Sequence, residues 1–303
     1  MPDCAALLGA FPHLLAEVVD QTDKAAAAGR PLPAAPNSAC CVLPSVVCSQ
    51  ESTSARILAL ELDSAGLVGT IPHGILRLNS LERLVMSNNA LTGSIPPWLS
   101  ALPWLRTLSL EGNRLSGSIP AELGRLSRLQ VLLLGKNELS GTIPEALAEL
   151  SSLETLELGS NRLSGPIPAE LSRLRNLTTL FAAENDLEGR IPPLRRIRFL
   201  SLHGNARLSG TLGQTNPTGF CNLKGTDVCT SDVDLAAKCK IRICERVAEH
   251  EAPLTVLALC VFGALLMATI AGFMLSMARR AGARHSMPRY APVPKRDGGK
   301  HQD

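Results

Sequence analysis

The residues best equipped for chemistry in this 303-residue chain are its nine cysteines, and their spacing sorts them. Cys4, Cys40, Cys41 and Cys48 stand at one end. Cys221, Cys229, Cys239 and Cys244 follow the middle, and Cys260 is alone. No cysteine falls between Cys48 and Cys221, no CxxC occurs, and no histidine lies at ligand spacing from a cysteine pair. Two sets of four around a cysteine-free middle point to oxidation into disulfides at two small caps; zinc is the weaker reading. Each set allows three pairings, and the spacing alone does not choose among them.

Other chemistry finds little footing. His13, His73, His203, His250, His285 and His301 form no HExxH and sit near no candidate nucleophile. Serines beside glycine (LSGS, LSGT, LSGP) recur with the same turn, where a structural role accounts for them. The residues therefore predict a binding protein with no enzyme activity, no metal and no cofactor. The formal net charge of +3 is a property of the tail. From Ala278 onward there are seven Lys or Arg and two Asp, leaving 23 basic and 25 acidic residues before it. A body of that balance is not a nucleic-acid surface.

The element that must position any binding residue is a repeat. Ile-Pro falls at 71, 95, 119, 143, 167 and 191, with Asn at 89, 113, 137, 161 and 185 and Gly at 93, 117, 141, 165 and 189. One unit reads LxxLxLxxNxLxGxIPxxLxxLxx, 24 residues long. That period and leucine pattern predict a solenoid in which each turn adds one layer to a shared core. LxL is a short strand with both leucines inward. Asn turns the chain out of the strand and, stacked, forms a ladder. Gly permits the next bend, Pro closes the second extended piece, and LxxLxx suits a 3₁₀ turn on the outer face. Seven strand-bearing coils are expected, near residues 58, 82, 106, 130, 154, 178 and 198. Ala65 replaces Asn in the first, and the last is shortened, with Asn205 only 20 residues after Asn185.

The LxGxIP ending and the 24-residue period resemble plant-type leucine-rich repeats, the subfamily of receptor kinases, receptor-like proteins and polygalacturonase-inhibiting proteins. Residues 3 to 71 resemble that subfamily's N-terminal cap: an apolar helix (DCAALLGAFPHLLAEVV), then Cys40-Cys41-x6-Cys48, then a first strand (RILALEL). The resemblance implies the pairs Cys4–Cys40 and Cys41–Cys48. The Ala- and Pro-rich stretch from Ala25 to Pro36 is an insertion relative to that cap, and VLPSVV lacks the usual aromatic. The Cys221–Cys244 segment resembles the caps of fungal or chytrid-like members. The fold expected is α/β: a right-handed leucine-rich repeat solenoid with a curved parallel sheet on its concave face and disulfide caps, followed by one transmembrane helix. The resemblance is specific for fold and far less so for ligand.

Residues 252–278 carry no charge and are long enough to span a bilayer, and Arg279, Arg280 and Arg284 follow at once. The domain reading is an N-terminal cap (1–55), the solenoid (56–215), a Cys-rich cap (216–251), a transmembrane helix (252–278) and a short basic cytoplasmic tail (279–303). Ala264, Ala268, Gly272 and Ser276 make a small-residue face for a co-receptor or a second copy. The tail is too short for a kinase. MPDCAALLGAFPHLL lacks the basic start of a signal peptide. The start is therefore expected to be truncated, the clustered cysteines favouring repeats outside the cell. The alternative is a tail-anchored intracellular scaffold. Asn176-Leu177-Thr178 is the one usable glycosylation sequon.

Recognition is expected on the concave face, in the residues the motif leaves free. Most are small. The candidates are Glu111, Leu133, Lys136, Glu157, Phe181, Phe199 and His203, for a protein, peptide or polysaccharide ligand. Trp98 and Trp104 lie on the outer part of one coil, to stack on a sugar or to shield the core. Arg173, Arg175, Arg190, Arg195, Arg196 and Arg198 form a late basic cluster, for an acidic polysaccharide or as a solvated surface. Two functions compete: a receptor-like protein that signals through a partner, and a non-signalling adhesion, wall-associated or inhibitor-like module.

Overall fold

The computed structural model describes residues 56–212 and 215–244, with Leu7, 9–11, Leu43 and 45–49. Cys4, Cys40, Cys41, the apolar segment 252–278 with its small-residue face, and the basic tail lie outside the described residues. Among the described residues no helix is long and apolar enough to cross a membrane.

The LxL pattern becomes a parallel sheet. Its strands are Ile57–Glu61, Arg83–Val85, Thr107–Ser109, Val131–Leu133, Thr155–Glu157, Thr179–Phe181, Phe199–Ser201 and Cys221–Asn222, here called coils 1 to 8. Leu84, Leu108, Leu132, Leu156, Leu180 and Leu200 pair in register and are fully buried, so coils 2 to 7 each add a like layer to one core. The strand Val46–Cys48 pairs antiparallel with coil 1 and covers an edge that would otherwise invite another chain. Leu7 and Phe11 are buried in the same core, joined by a helical Phe11 N–H to Leu7 carbonyl bond of 2.8 Å.

The eighth strand is one more than the leucine pattern shows. Cys221 pairs opposite Leu200, and Cys221, Leu223 and Val228 take buried leucine positions. Thr226 stands in for the ladder asparagine, its hydroxyl donating to the Leu223 carbonyl at 2.8 Å. Beyond it the helix Val233–Cys239 is capped by the Asp232 carboxylate, which accepts from Leu235 N–H at 3.0 Å. Of the three pairings open to this cluster, the structure has Cys221–Cys239 and Cys229–Cys244. Cys48 is also disulfide-bonded.

The asparagines form the expected ladder. Asn137 Oδ1 accepts from Leu115 N–H of the preceding coil at 3.0 Å, while Nδ2 donates to the carbonyls of Leu110, Leu134 and Gly135. Asn89, Asn113, Asn161, Asn185 and Asn205 repeat the first of these bonds. Each thus satisfies backbone groups that the bend buries without partners. The residue before each ladder position is left-handed: Ser64, Asn88, Gly112, Lys136, Ser160, Glu184, Gly204 and Gly225 all have positive φ. Past the ladder, the LxG pieces, expected as a second extended stretch of each coil, pair into a second parallel sheet, from Val68–Gly69 to Arg242–Ile243. The LxxLxx pieces form 3₁₀ turns at His73–Arg77, Pro97–Ala101, Ala121–Arg125, Glu145–Glu149 and Ala169–Arg173. The shortened coil has none. There the buried Thr215 hydroxyl accepts from Leu194 N–H and donates to the Pro192 carbonyl, each at 2.9 Å.

Candidate functional site

The concave sheet presents its outward side chains as ordered columns. One column runs Glu61, Val85, Ser109, Leu133, Glu157, Phe181, Ser201 and Asn222 through the strand register. Leu133 and Phe181 therefore flank Glu157 directly, one coil to either side. Neighbouring coils in such a sheet are about 4.8 Å apart, within reach of a single ligand side chain.

Carboxylates along the face are met by side chains of neighbouring coils, through ion pairs or neutral donors, and Glu157 is set apart from them. Arg83 Nε meets Glu61 Oε1 at 2.8 Å, and Asn88 Nδ2 donates to Asp63 Oδ1 at 2.9 Å. Lys136 Nζ meets Glu111 Oε1 at 2.8 Å. The hydrogen bond and charge of Glu111 raise the Lys136 ammonium above its ordinary 10.5. Glu157 is left without a cation in contact among the described residues. Burial, and then the negative charge of Glu111, raise its carboxyl above the ordinary 4.5, opposed by a hydrogen bond from Gly159 N–H and by the Lys136 charge. Two carboxylates and one ammonium leave a net charge of −1 at this point of the trough.

Two glycines make room for that carboxylate. A Cβ on Gly135 would lie 2.9 Å from Glu157 Oε1, and one on Gly159 3.2 Å from it. Glu157 folds back over these bare positions, which explains its half-burial on an open surface. At the next coils Ser160 Oγ donates to Glu184 Oε2 at 2.6 Å, and His203 Nδ1 lies 2.9 Å from Ser201 Oγ with Nε2 3.9 Å from Glu184 Oε1. The structure thus brings Glu111, Lys136 and Glu157 together and places His203 with Glu184 further along.

Aromatic rings gather at the C-terminal end. Phe199 and Phe220 stand opposite each other in coils 7 and 8, exposed at 36% and 50%. Phe181 meets Phe220 edge to face, with ring centroids 6.5 Å apart, and the Arg198 guanidinium lies 5.5 Å from the Phe199 ring. Phe220 is a member the sequence reading missed. FCNL hides the LxL pattern because Cys221 fills a leucine slot. The outer tryptophans separate: Trp98 packs on the core with His73 at its edge, and exposed Trp104 is covered by the Arg128 guanidinium 3.9 Å from its ring. Asn176 is exposed, its Nδ2 donating to the Ser151 carbonyl at 3.0 Å. A shallow groove at the Ile-Pro corners, lined by Ser94, Gly117, Pro120 and Thr142, is built of turn residues common to all coils. Among the described residues no three His, Cys, Asp or Glu side chains converge to hold a metal.

Residues 125–187 match the family model described as Leucine rich repeat, and residues 79–122 that described as Leucine Rich repeats (2 copies). No curated protein matches the chain. Among solved structures, one similar chain is the LRR ectodomain of the membrane receptor kinase GASSHO1/SCHENGEN3 from Arabidopsis thaliana, in complex with CASPARIAN STRIP INTEGRITY FACTOR 2. It is 34% identical over 64% of this chain and 26% of that one, with a TM-score of 0.55. The Arabidopsis receptor kinase HAESA, in complex with the peptide hormone IDA and the co-receptor SERK1, is 31% identical over 66% and 35%, with a TM-score of 0.58. Pollen Receptor Kinase 3 is 31% identical over 55% of this chain and 81% of that chain, with a TM-score of 0.51. The match thus spans about a quarter and a third of the first two chains and most of the third. With its register, its asparagine ladder and these matches, the chain belongs to the leucine-rich repeat proteins, and its solenoid is similar to the ectodomains of plant receptor kinases.

Proposed function

We propose that this chain is a receptor-like recognition protein that takes a peptide or protein ligand in its concave trough. The observation that carries the reading is the trio Phe181, Phe199 and Phe220, two of them exposed, beside the uncompensated Glu157. Rigid rings next to a desolvated charge are what interface anchors are made of. The strands hold them in fixed register, so little ordering entropy is lost on binding. The ectodomain of HAESA, similar in fold, is solved with a peptide hormone, which supports a peptide here.

In this reading segment 252–278 is a single-pass anchor, with the repeats outside the cell and the basic tail within. Its charge-free length and the arginines after it support that orientation. So do the disulfides, which persist in oxidising compartments. No catalysis is assigned to the repeats, whose asparagines serve the ladder and whose Arg83, Arg106, Lys136 and Arg162 are held in ion pairs. Peptide and glycan arrays probed with the full chain test the reading. Peptide binding that falls about tenfold in Phe181→Ala/Phe199→Ala supports it. Peptide binding untouched by that variant refutes it.

A further inference from the structure

A second surface stands apart from the concave face. It is the flank that carries the chain from each 3₁₀ turn to the next concave strand. Backbone hydrogen bonds fix one column along it: Glu82, Arg106, Gln130, Glu154, Thr178 and Arg198 stack in successive coils. Signs mix at the start of that column and are only positive at its end. Arg175 and Arg195 each stand three residues before the paired Thr178 and Arg198, so they occupy one position in consecutive coils. Arg196 likewise follows Asn176. All four arginines are exposed. Arg190, by contrast, follows the second sheet and lies against Gly210, outside this flank.

These arginines differ from the five that form ion pairs between coils. Arg83, Arg106, Arg162, Arg207 and Arg242 each meet a carboxylate of another coil, Glu61, Glu82, Glu138, Asp186 and Asp227. Arg175, Arg195, Arg196 and Arg198 meet none among the described residues. The reason is in the chain: residues 171–183 and 189–226 contain no Asp or Glu at all. Stacking Arg195 on Arg175 sets like charges side by side, an arrangement that costs stability unless an anion lies across it. Guanidinium forks match carboxylate or sulfate pairwise, which a lysine patch would not.

We infer that this flank of coils 6 and 7 docks an anionic polysaccharide through Arg175, Arg195, Arg196 and Arg198. The compartment selects that polyanion. The bonds Cys221–Cys239 and Cys229–Cys244 belong to an oxidising exterior, where polymers bearing carboxylate or sulfate are sugars rather than nucleic acids. The hydroxyl and amide groups beside the arginines, from Asn176 and Thr178 and from Ser151 and Ser152 one coil before, suit the hydroxyls of such a chain. This inference does not rest on the concave-face reading, and either can fail alone.

The test is affinity electrophoresis of the full chain in neutral detergent, after deglycosylation so that no glycan at Asn176 crowds the flank. The gels contain polygalacturonate, neutral dextran or polyglutamate. Polygalacturonate retards the chain, the effect weakens with added salt, and dextran does not retard it. The triple variant Arg175→Gln/Arg195→Gln/Arg196→Gln binds polygalacturonate about tenfold more weakly, since each lost contact removes counterion release. Arg83→Gln/Arg106→Gln/Arg162→Gln removes the same charge elsewhere and leaves binding within about twofold, as does Phe181→Ala. Equal losses from the two triple variants, no retardation by polygalacturonate, or equal retardation by polyglutamate each overturn the inference. Thermal melts of the two triple variants stay within a few degrees of wild type, because every replaced arginine is exposed.

Discussion

Lys136 Nζ lies 2.8 Å from Glu111 Oε1, so the one ammonium in the middle of the trough is spent on the preceding coil. Glu157, one coil further on, keeps a carboxylate that no cation touches among the described residues, over the bare backbone of Gly135 and Gly159. A recognition surface often holds such uncompensated groups, which cost the free protein stability and become useful on binding.

That cost has a pH signature. The folded protein favours the neutral acid of Glu157, raising it above 4.5. Between that value and the higher folded one, the folded chain binds more protons than the unfolded chain, so stability falls as pH rises through the window. Glu157→Gln removes this fall. At pH 7 the variant melts about 2 °C above the wild type, and at pH 4 the two coincide. Paired melting curves at the two pH values check it.

The ladder is expected to be costly to break. Asn137 is 8% exposed and its amide serves four backbone groups. Asn137→Ala strands them in the core and lowers stability by about 3 kcal/mol. Thr226→Ala, at the end of the stack where the hydroxyl donates to one carbonyl, costs about 1 kcal/mol. Urea denaturation of both variants measures the difference.

Gly124 tests the packing of the outer turns. A Cβ there would lie 2.2 Å from the Ala146 carbonyl oxygen, a backbone atom that cannot swing aside. Gly124→Ala therefore costs about 2 kcal/mol. Gly117→Ala has room, with its nearest neighbour at 3.6 Å, but must hold φ at 78°, which costs about 1 kcal/mol. Their denaturation midpoints rank accordingly.

The terminal coil depends on its cross-link. Cys221 and Cys239 are 18 residues apart, a loop for which a disulfide contributes about 3 kcal/mol. In Cys221→Ala/Cys239→Ala the loss appears first at the C-terminal end, because each coil contacts only its neighbours. Amide exchange accelerates in coil 8 while coils 3 to 5 keep their protection.

How much of this the sequence discloses depends on whether a property belongs to one coil or to several. Leu108, Asn113 and Gly117 recur at fixed spacing, so strand, ladder and bend are legible from the letters. The second sheet is not, because Val68–Gly69 and its successors are too short to show a period of their own. Phe220 escapes for a different reason: Cys221 serves both core and disulfide and so breaks the leucine pattern. The setting of Glu157 depends on Gly135 one coil away, Gly159 two residues on and the diversion of Lys136 to Glu111. No single repeat contains all of these. The six late arginines look like one cluster in the chain, and the fold divides Arg190 from the flank.

The most direct test of the account is the affinity of the strongest array peptide for the full chain, measured by calorimetry across a small set of variants. Phe181→Ala/Phe199→Ala/Phe220→Ala is predicted to weaken binding at least about tenfold, while Arg175→Gln/Arg195→Gln/Arg196→Gln leaves it unchanged. An affinity equal to wild type in the aromatic variant, with its fold intact by circular dichroism, would contradict the assignment of the concave face as the ligand-binding site.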